Sequence, residues 1–246
     1  MSAHRAAAAR CAAAGAACLS VLVGAGAAGA DDNGIADKSA RAIADASREA
    51  MSGVTSMRMV AVVTDKSGTT ALDLRFDEGG NCVGTVTPPG GSGTADIIKR
   101  GDDVWMKLDD ALLRARIPGS AAEEAIALVN GRYLHGTTGS FLLRDFAELC
   151  DLDSFKKEFS SKPANEELAK GARTAVDGRP AITVESRHDD ETGAYQVSTE
   201  DEPYLLRIEG TEAPGTRVEA TFSAFDEPVP ATPPAPAESV DVSRLQ

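Results

Sequence analysis

Ser154-Phe155-Lys156-Lys157 places a hydroxyl three residues before an amine, the bare S-x-x-K spacing that penicillin-recognising enzymes use to pair a serine nucleophile with a lysine. Neither K-T-G nor S-D-N accompanies it, and so short a pattern is equally the polar edge of an amphipathic helix. His188-Asp189-Asp190-Glu191 is the densest group of metal-ligand types, three carboxylates and an imidazole that could hold a divalent cation weakly. Thr192-Gly193 follows it, and turn chemistry makes a charged hairpin tip the stronger reading. His135 lies in a Gly/Thr stretch with no serine or cysteine nucleophile placed by a local motif. Acid pairs at 102–103, 109–110, 123–124 and 166–167 read as solvated faces or turns, because adjacency alone does not make a catalytic carboxylate pair. No G-x-S-x-G occurs, and Gly90-Gly91-Ser92-Gly93 lacks the lysine and the helix of a phosphate loop. The chain reads as a non-enzyme: no catalytic residue, no metal site and no cofactor are expected.

What the chain has to position is therefore apolar. Val54 to Leu108 carries five β-type runs joined by short Gly-, Pro- or Asp-bearing turns, which predicts an antiparallel meander. Leu72, Leu74 and Phe76 share one face, as do Val104, Met106 and Leu108, with polar residues between them. Val60 to Val63 is apolar on both faces, which predicts a strand covered on both sides there. Five more alternating runs follow Ala172, with turns at Asp177-Gly178 and Glu191-Thr192-Gly193.

Helical spacing appears in three places. Residues 34–52 form a thin, alanine-rich amphipathic helix with Arg48 on its polar faces, stopped at Gly53. Ala121–Val129 is a short helix, with Ser120 as a possible N-cap. Phe141 to Phe159 fits one or two more, 131–139 reads as loop, and 162–172 reads as a short helix or polar loop. From Pro228 the chain is proline-rich and extended. The expected fold is α+β: a curved antiparallel sheet of about ten strands, an incomplete β-barrel, with helices packed on the concave face.

The first 30 residues read as an export signal: Arg5 and Arg10, an uncharged run from Cys11 to Ala28, and small residues at Ala28-Gly29-Ala30 before Asp31. Cleavage is expected after Ala30. Lipidation at Cys18, after Gly15-Ala16-Ala17, is the competing reading. The domains expected are residues 1–30 as signal peptide, 31–227 as one domain and 228–246 as tail. Losing the two arginines of the leader takes the formal net charge from −13 to −15. That acidity excludes nucleic acid and anionic headgroups as bulk electrostatic partners, and leaves peripheral membrane association or none. Cys82 and Cys150 then remain, and in an exported protein an even pair reads as a disulfide before it reads as two free thiols.

The apolar faces fit an ordinary core or a cavity for a lipid-like ligand, and periodicity does not separate the two. A resemblance adds to this. Met51-Ser52-Gly53-Val54-Thr55-Ser56-Met57-Arg58-Met59, a helix end leading into a strand, resembles the LolA-like superfamily, especially the LppX/LprG-type envelope lipoproteins of actinobacteria. So does the closing Phe222-Ser223-Ala224-Phe225-Asp226-Glu227-Pro228-Val229, with Glu238-Ser239-Val240-Asp241 beyond it. The resemblance implies a half-barrel wrapped over helices around an apolar cavity, in a carrier or sensor located outside the cell or in its envelope. On that basis Val60, Val62, Leu72, Leu74, Val104, Met106 and Leu108 are expected to line the cavity for a lipid or lipidated molecule. A sensory or protein-interaction module of the envelope, with a filled interior and a protein partner, is the alternative.

Overall fold

The hairpins are set by local chemistry. Strand β1 (Ser56–Asp65) returns as β2 (Gly68–Asp77) through a turn in which the Ser67 N–H donates to Asp65 Oδ1 at 2.7 Å. β7 (Glu167–Val176) returns as β8 (Arg179–His188) through Asp177 (φ 49) and Gly178 (φ 82), the two positive φ values that suit a two-residue hairpin. β8 in turn returns as β9 (Glu191–Ser198) through Asp189 and Asp190, so the acidic cluster is a hairpin tip. The remaining strands are β3 (Cys82–Thr87), β4 (Ala95–Arg100), β5 (Asp103–Leu108), β6 (Tyr133–Thr137), β10 (Leu205–Ala213), β11 (Thr216–Ser223) and β12 (Ser239–Asp241). This computed structural model describes residues 32–161, 165–213 and 215–242, except for the side chains of residues 212 and 213. The leader, Cys18 and the cleavage point after Ala30 lie outside the described residues.

The twelve strands of the described residues join one sheet, in the order β12-β6-β5-β4-β3-β2-β1-β11-β10-β9-β8-β7. Its two ends do not meet, so the barrel is open, and every pairing except β12–β6 is antiparallel. The first and last long strands of the two meanders, β1 and β11, pair at the centre.

Among the described residues five α-helices accompany the sheet. α1 (Ala40–Ser52) begins where Ser39 accepts from the Ala42 N–H at 3.3 Å, and ends at Gly53. α2 (Asp110–Arg116) is capped by Asp109, which accepts from the Leu112 N–H at 2.7 Å, and it leads into α3 (Ala121–Val129). α4 (Arg144–Glu148) and α5 (Leu152–Ser160) follow β6. Cys82 of β3 and Cys150 between α4 and α5 form a disulfide with their Cα atoms 5.7 Å apart, tying the insert to the sheet.

The structure adds β6, β12 and α2 to the expected order and lengthens β7. β6 was hidden in a stretch rich in turn residues, because Leu134 and Gly136 carry little apolar signal on its inner face. β12 is three residues long and exists only through its pairing with β6. α2 has just Leu112 and Leu113 buried, too little to show a period. β7 starts at Glu167, inside the stretch expected to be a helix or loop, and pairing with β8 overrides its helix-forming residues.

The segment after β11 crosses the strand ends before reaching β12, and Val242 beyond it is buried in the core. Asp226 fastens its start. Its carboxylate accepts from the Thr55 N–H (2.7 Å), the Thr55 hydroxyl (2.9 Å) and the Tyr204 hydroxyl (3.0 Å). Burial alone would raise the Asp226 pKa, but these hydrogen bonds outweigh it and hold the carboxyl below its ordinary value. Burial first, and then the bond to Asp226, push the Tyr204 phenol up to about 12. A folded pKa above the unfolded value near 10 means stability that is complete below pH 10 and lost as pH rises towards 12. The urea midpoint should therefore fall across that window, and Tyr204→Phe should flatten the fall. An equal fall in both proteins would remove Tyr204 from the account.

Candidate ligand-binding cavity

Small residues face each other across the middle of the molecule. On the inner face of the sheet the register aligns Val184, Tyr195, Ile208, Ala220, Ala61 and Leu72 across six strands. One row further out come Ser186, Gly193, Gly210, Val218, Val63 and Thr70. α1 presents Ala44 and Ser47 towards this floor, between the larger Ile43 and Met51. Phe155 and Phe159 of α5 stack at 6.2 Å, and Phe155 meets Phe222 at 5.3 Å, closing one side. Alanines and glycines opposite a small helix face leave the two layers unfilled, and a cavity of about 390 Å³ lies between them. That volume falls within the range of small-molecule sites.

One end of the cavity is polar. The Glu166 side chain is 1% exposed. It accepts from Arg48 Nη2 at 3.0 and 3.2 Å, from Arg41 Nη1 at 2.9 Å and from the Ser186 hydroxyl at 3.2 Å. Arg48 Nη1 also reaches Asp45 Oδ1 at 3.3 Å. Glu166 had read as a solvated acid and Arg48 as part of a polar helix face; both are buried. The signal for Arg48 was its position, three residues before Met51 and four after Ala44, on the apolar stripe.

Structural comparison brings in two solved proteins. LprF from Mycobacterium bovis matches with a TM-score of 0.56 at 15% identity, over 80% of this chain and 97% of that one. The Mycobacterium tuberculosis lipoprotein LppX matches with a TM-score of 0.49 at 16% identity, over 82% and 100%. The fold is that of LprF. No protein-family model and no curated protein matches the sequence.

Of the residues expected to line the cavity, Leu72 does. Leu74, Val104 and Met106 are buried in the filled half of the core with Ile97, Leu112 and Leu143, and Leu108 packs against them half-buried. Val60 and Val62 are corrections. They pair beside Asp73 and Ala71 on the outer face, and Val62 is 40% exposed. Met59, Ala61 and Val63 carry that strand's cavity face instead. With apolar residues on both faces, the sequence alone did not assign the register. The other residues it missed include Phe155 and Phe159 of α5 and those on β8–β11 and α1, where Gly and Ala give no hydrophobic signal. Ser154 donates its N–H and hydroxyl to Asp151, the N-cap of α5, and His135 stacks on Trp105 at 4.7 Å with Nε2 3.0 Å from Asp103. Among the described residues no group of three or more His, Cys, Asp or Glu could hold a metal ion.

Proposed function

We propose that this protein is an exported, non-enzymatic binding protein for a lipid or other hydrophobic ligand, of the envelope carrier type. The observation that carries the reading is the cavity of about 390 Å³, walled by apolar side chains from the sheet, α1 and α5. Burying an acyl tail there releases water from apolar surface on both sides, which supplies the affinity. Among the described residues no helix is long and apolar enough to cross a membrane. Export through residues 1–30 is part of the proposal.

Native mass spectrometry of protein purified from its own envelope tests it. A stoichiometric adduct that extracts as lipid is expected, on a chain that begins at Asp31. Ala220→Trp projects an indole into the cavity beside Ala61 and should cost the adduct at least about tenfold in affinity, with the fold kept because the space already exists. A bare mass from native protein, or an adduct indifferent to Ala220→Trp, would sink the proposal.

A further inference from the structure

The floor of the cavity is bare along a single track. Gly193 of β9 lies beside Gly210 of β10, and Ala220 of β11 beside Ala61 of β1. Register sets the glycines one row nearer the hairpin tips than the alanines, because Gly210 pairs with Val218 and Ile208 with Ala220. The track therefore runs obliquely across four strands. Larger side chains bank it on the same face of the sheet. Tyr195 and Ile208 stand two residues along from the glycines, and Val218 and Val63 two residues along from the alanines. A Cβ built at Gly210 would meet the Thr192 carbonyl oxygen at 2.6 Å, so no side chain grows there without moving the β9 backbone. The banks leave the width of one missing side chain, which one alkyl chain fills and two do not.

The two ends of the track differ. At the β1 end Leu72 pairs with Ala61, and Phe155 against Phe222 closes that side, so this end is apolar and shut. At the β9 end Ser186 pairs with Gly193 and donates to Glu166, and Glu191 and Thr192 at the hairpin tip are exposed. Three strand spacings of about 4.8 Å and a step of two residues along the strands make the track about 16 Å long. An extended alkyl chain with bonds of about 1.5 Å advances about 1.3 Å per carbon, so about twelve carbons span it. Volume agrees. A methylene fills about the space of one water molecule, near 30 Å³, and on that measure the cavity of about 390 Å³ holds about thirteen.

We infer that the cavity is a one-chain site: its ligand is a monoacyl amphiphile held by about twelve carbons of a single unbranched chain, with no place for a second chain beside the first. The inference rests on the cavity being a ligand site. The methyl end of the chain lies against Leu72, and the headgroup stays in water at the β8–β9 tip.

The test is displacement of Nile red from delipidated protein by octanoyl, decanoyl, lauroyl, myristoyl, palmitoyl and stearoyl lysophosphatidylcholine, each below its micellar concentration. Affinity should rise about fourfold per added methylene up to the lauroyl chain and then level off. Dioctanoylphosphatidylcholine should bind within about threefold of the octanoyl lyso-lipid, since its second chain stays outside. Ala61→Phe fills the last strand spacing, worth about four carbons, and should move the break down to the octanoyl chain. Leu72→Ala opens the shut end and should move the break up to the myristoyl chain. Affinity that climbs unbroken to the stearoyl chain overturns the inference while the cavity reading stands. So does dioctanoylphosphatidylcholine binding like the palmitoyl lyso-lipid, or a break that stays at the lauroyl chain in both variants. Failure of Nile red and every lipid to bind overturns the cavity reading and this inference with it.

Discussion

Glu166→Ala should destabilise the protein by roughly 3–5 kcal/mol, the cost of breaking a buried ion pair by removing one partner. Glu166 is the shared acceptor of Arg41, Arg48 and Ser186, and removing it leaves the Arg48 side chain, which is 9% exposed, with the outlying Asp45 carboxylate at 3.3 Å and no acceptor for Nη2 among the described residues on the cavity side. Arg41, at 47%, can turn to water and loses little. The double replacement Arg48→Met with Glu166→Leu should recover most of the loss, since two apolar side chains need neither solvation nor a partner. Urea unfolding of the wild type, the single variant and the double variant measures both effects. A single-variant loss below about 1 kcal/mol would show that the pair is solvated and is not the anchor between α1 and β7–β8.

Opening the disulfide should have an effect of similar size. Cys82 and Cys150 are separated by 68 residues, and closing a loop of that length stabilises a fold by about 4 kcal/mol in the chain-entropy model. Both cysteines are at most 1% exposed and sit in the main core, so the double replacement by alanine also loses packing around Phe76, Val104 and Leu143. The urea midpoint of Cys82→Ala/Cys150→Ala should fall to match. Dithiothreitol should reduce the native protein slowly, because reagent reaches the bond only when the insert opens. Rapid reduction of the folded protein, with no loss of midpoint, would contradict this account.

Much of the scaffold was legible. Ten strands, α1, α3 and the α4–α5 pair could be read because alternation and helical spacing are strong where large apolar residues recur, as in Leu72-Leu74-Phe76 and Phe146-Leu149-Leu152-Phe155. The disulfide followed from cysteine count and the inferred compartment. The site was far less legible, because it is made of what periodicity ignores. Ala44, Ser47, Ala61, Gly193, Gly210 and Ala220 matter through the volume they leave unfilled, which is a property of two layers facing each other.

The sequence by itself determined the local elements, their turns and the acidic character of the chain, since each depends on neighbours a few residues apart. Tertiary structure decided which face of β1 turns inward, that the sheet gains β6 and β12, and that Arg48 and Glu166 meet although 118 residues separate them. It also decided where the interior is filled and where it is open. Those outcomes depend on the spacing of helix above sheet and on strand register, where a one-residue slip exchanges the buried face for the solvent face.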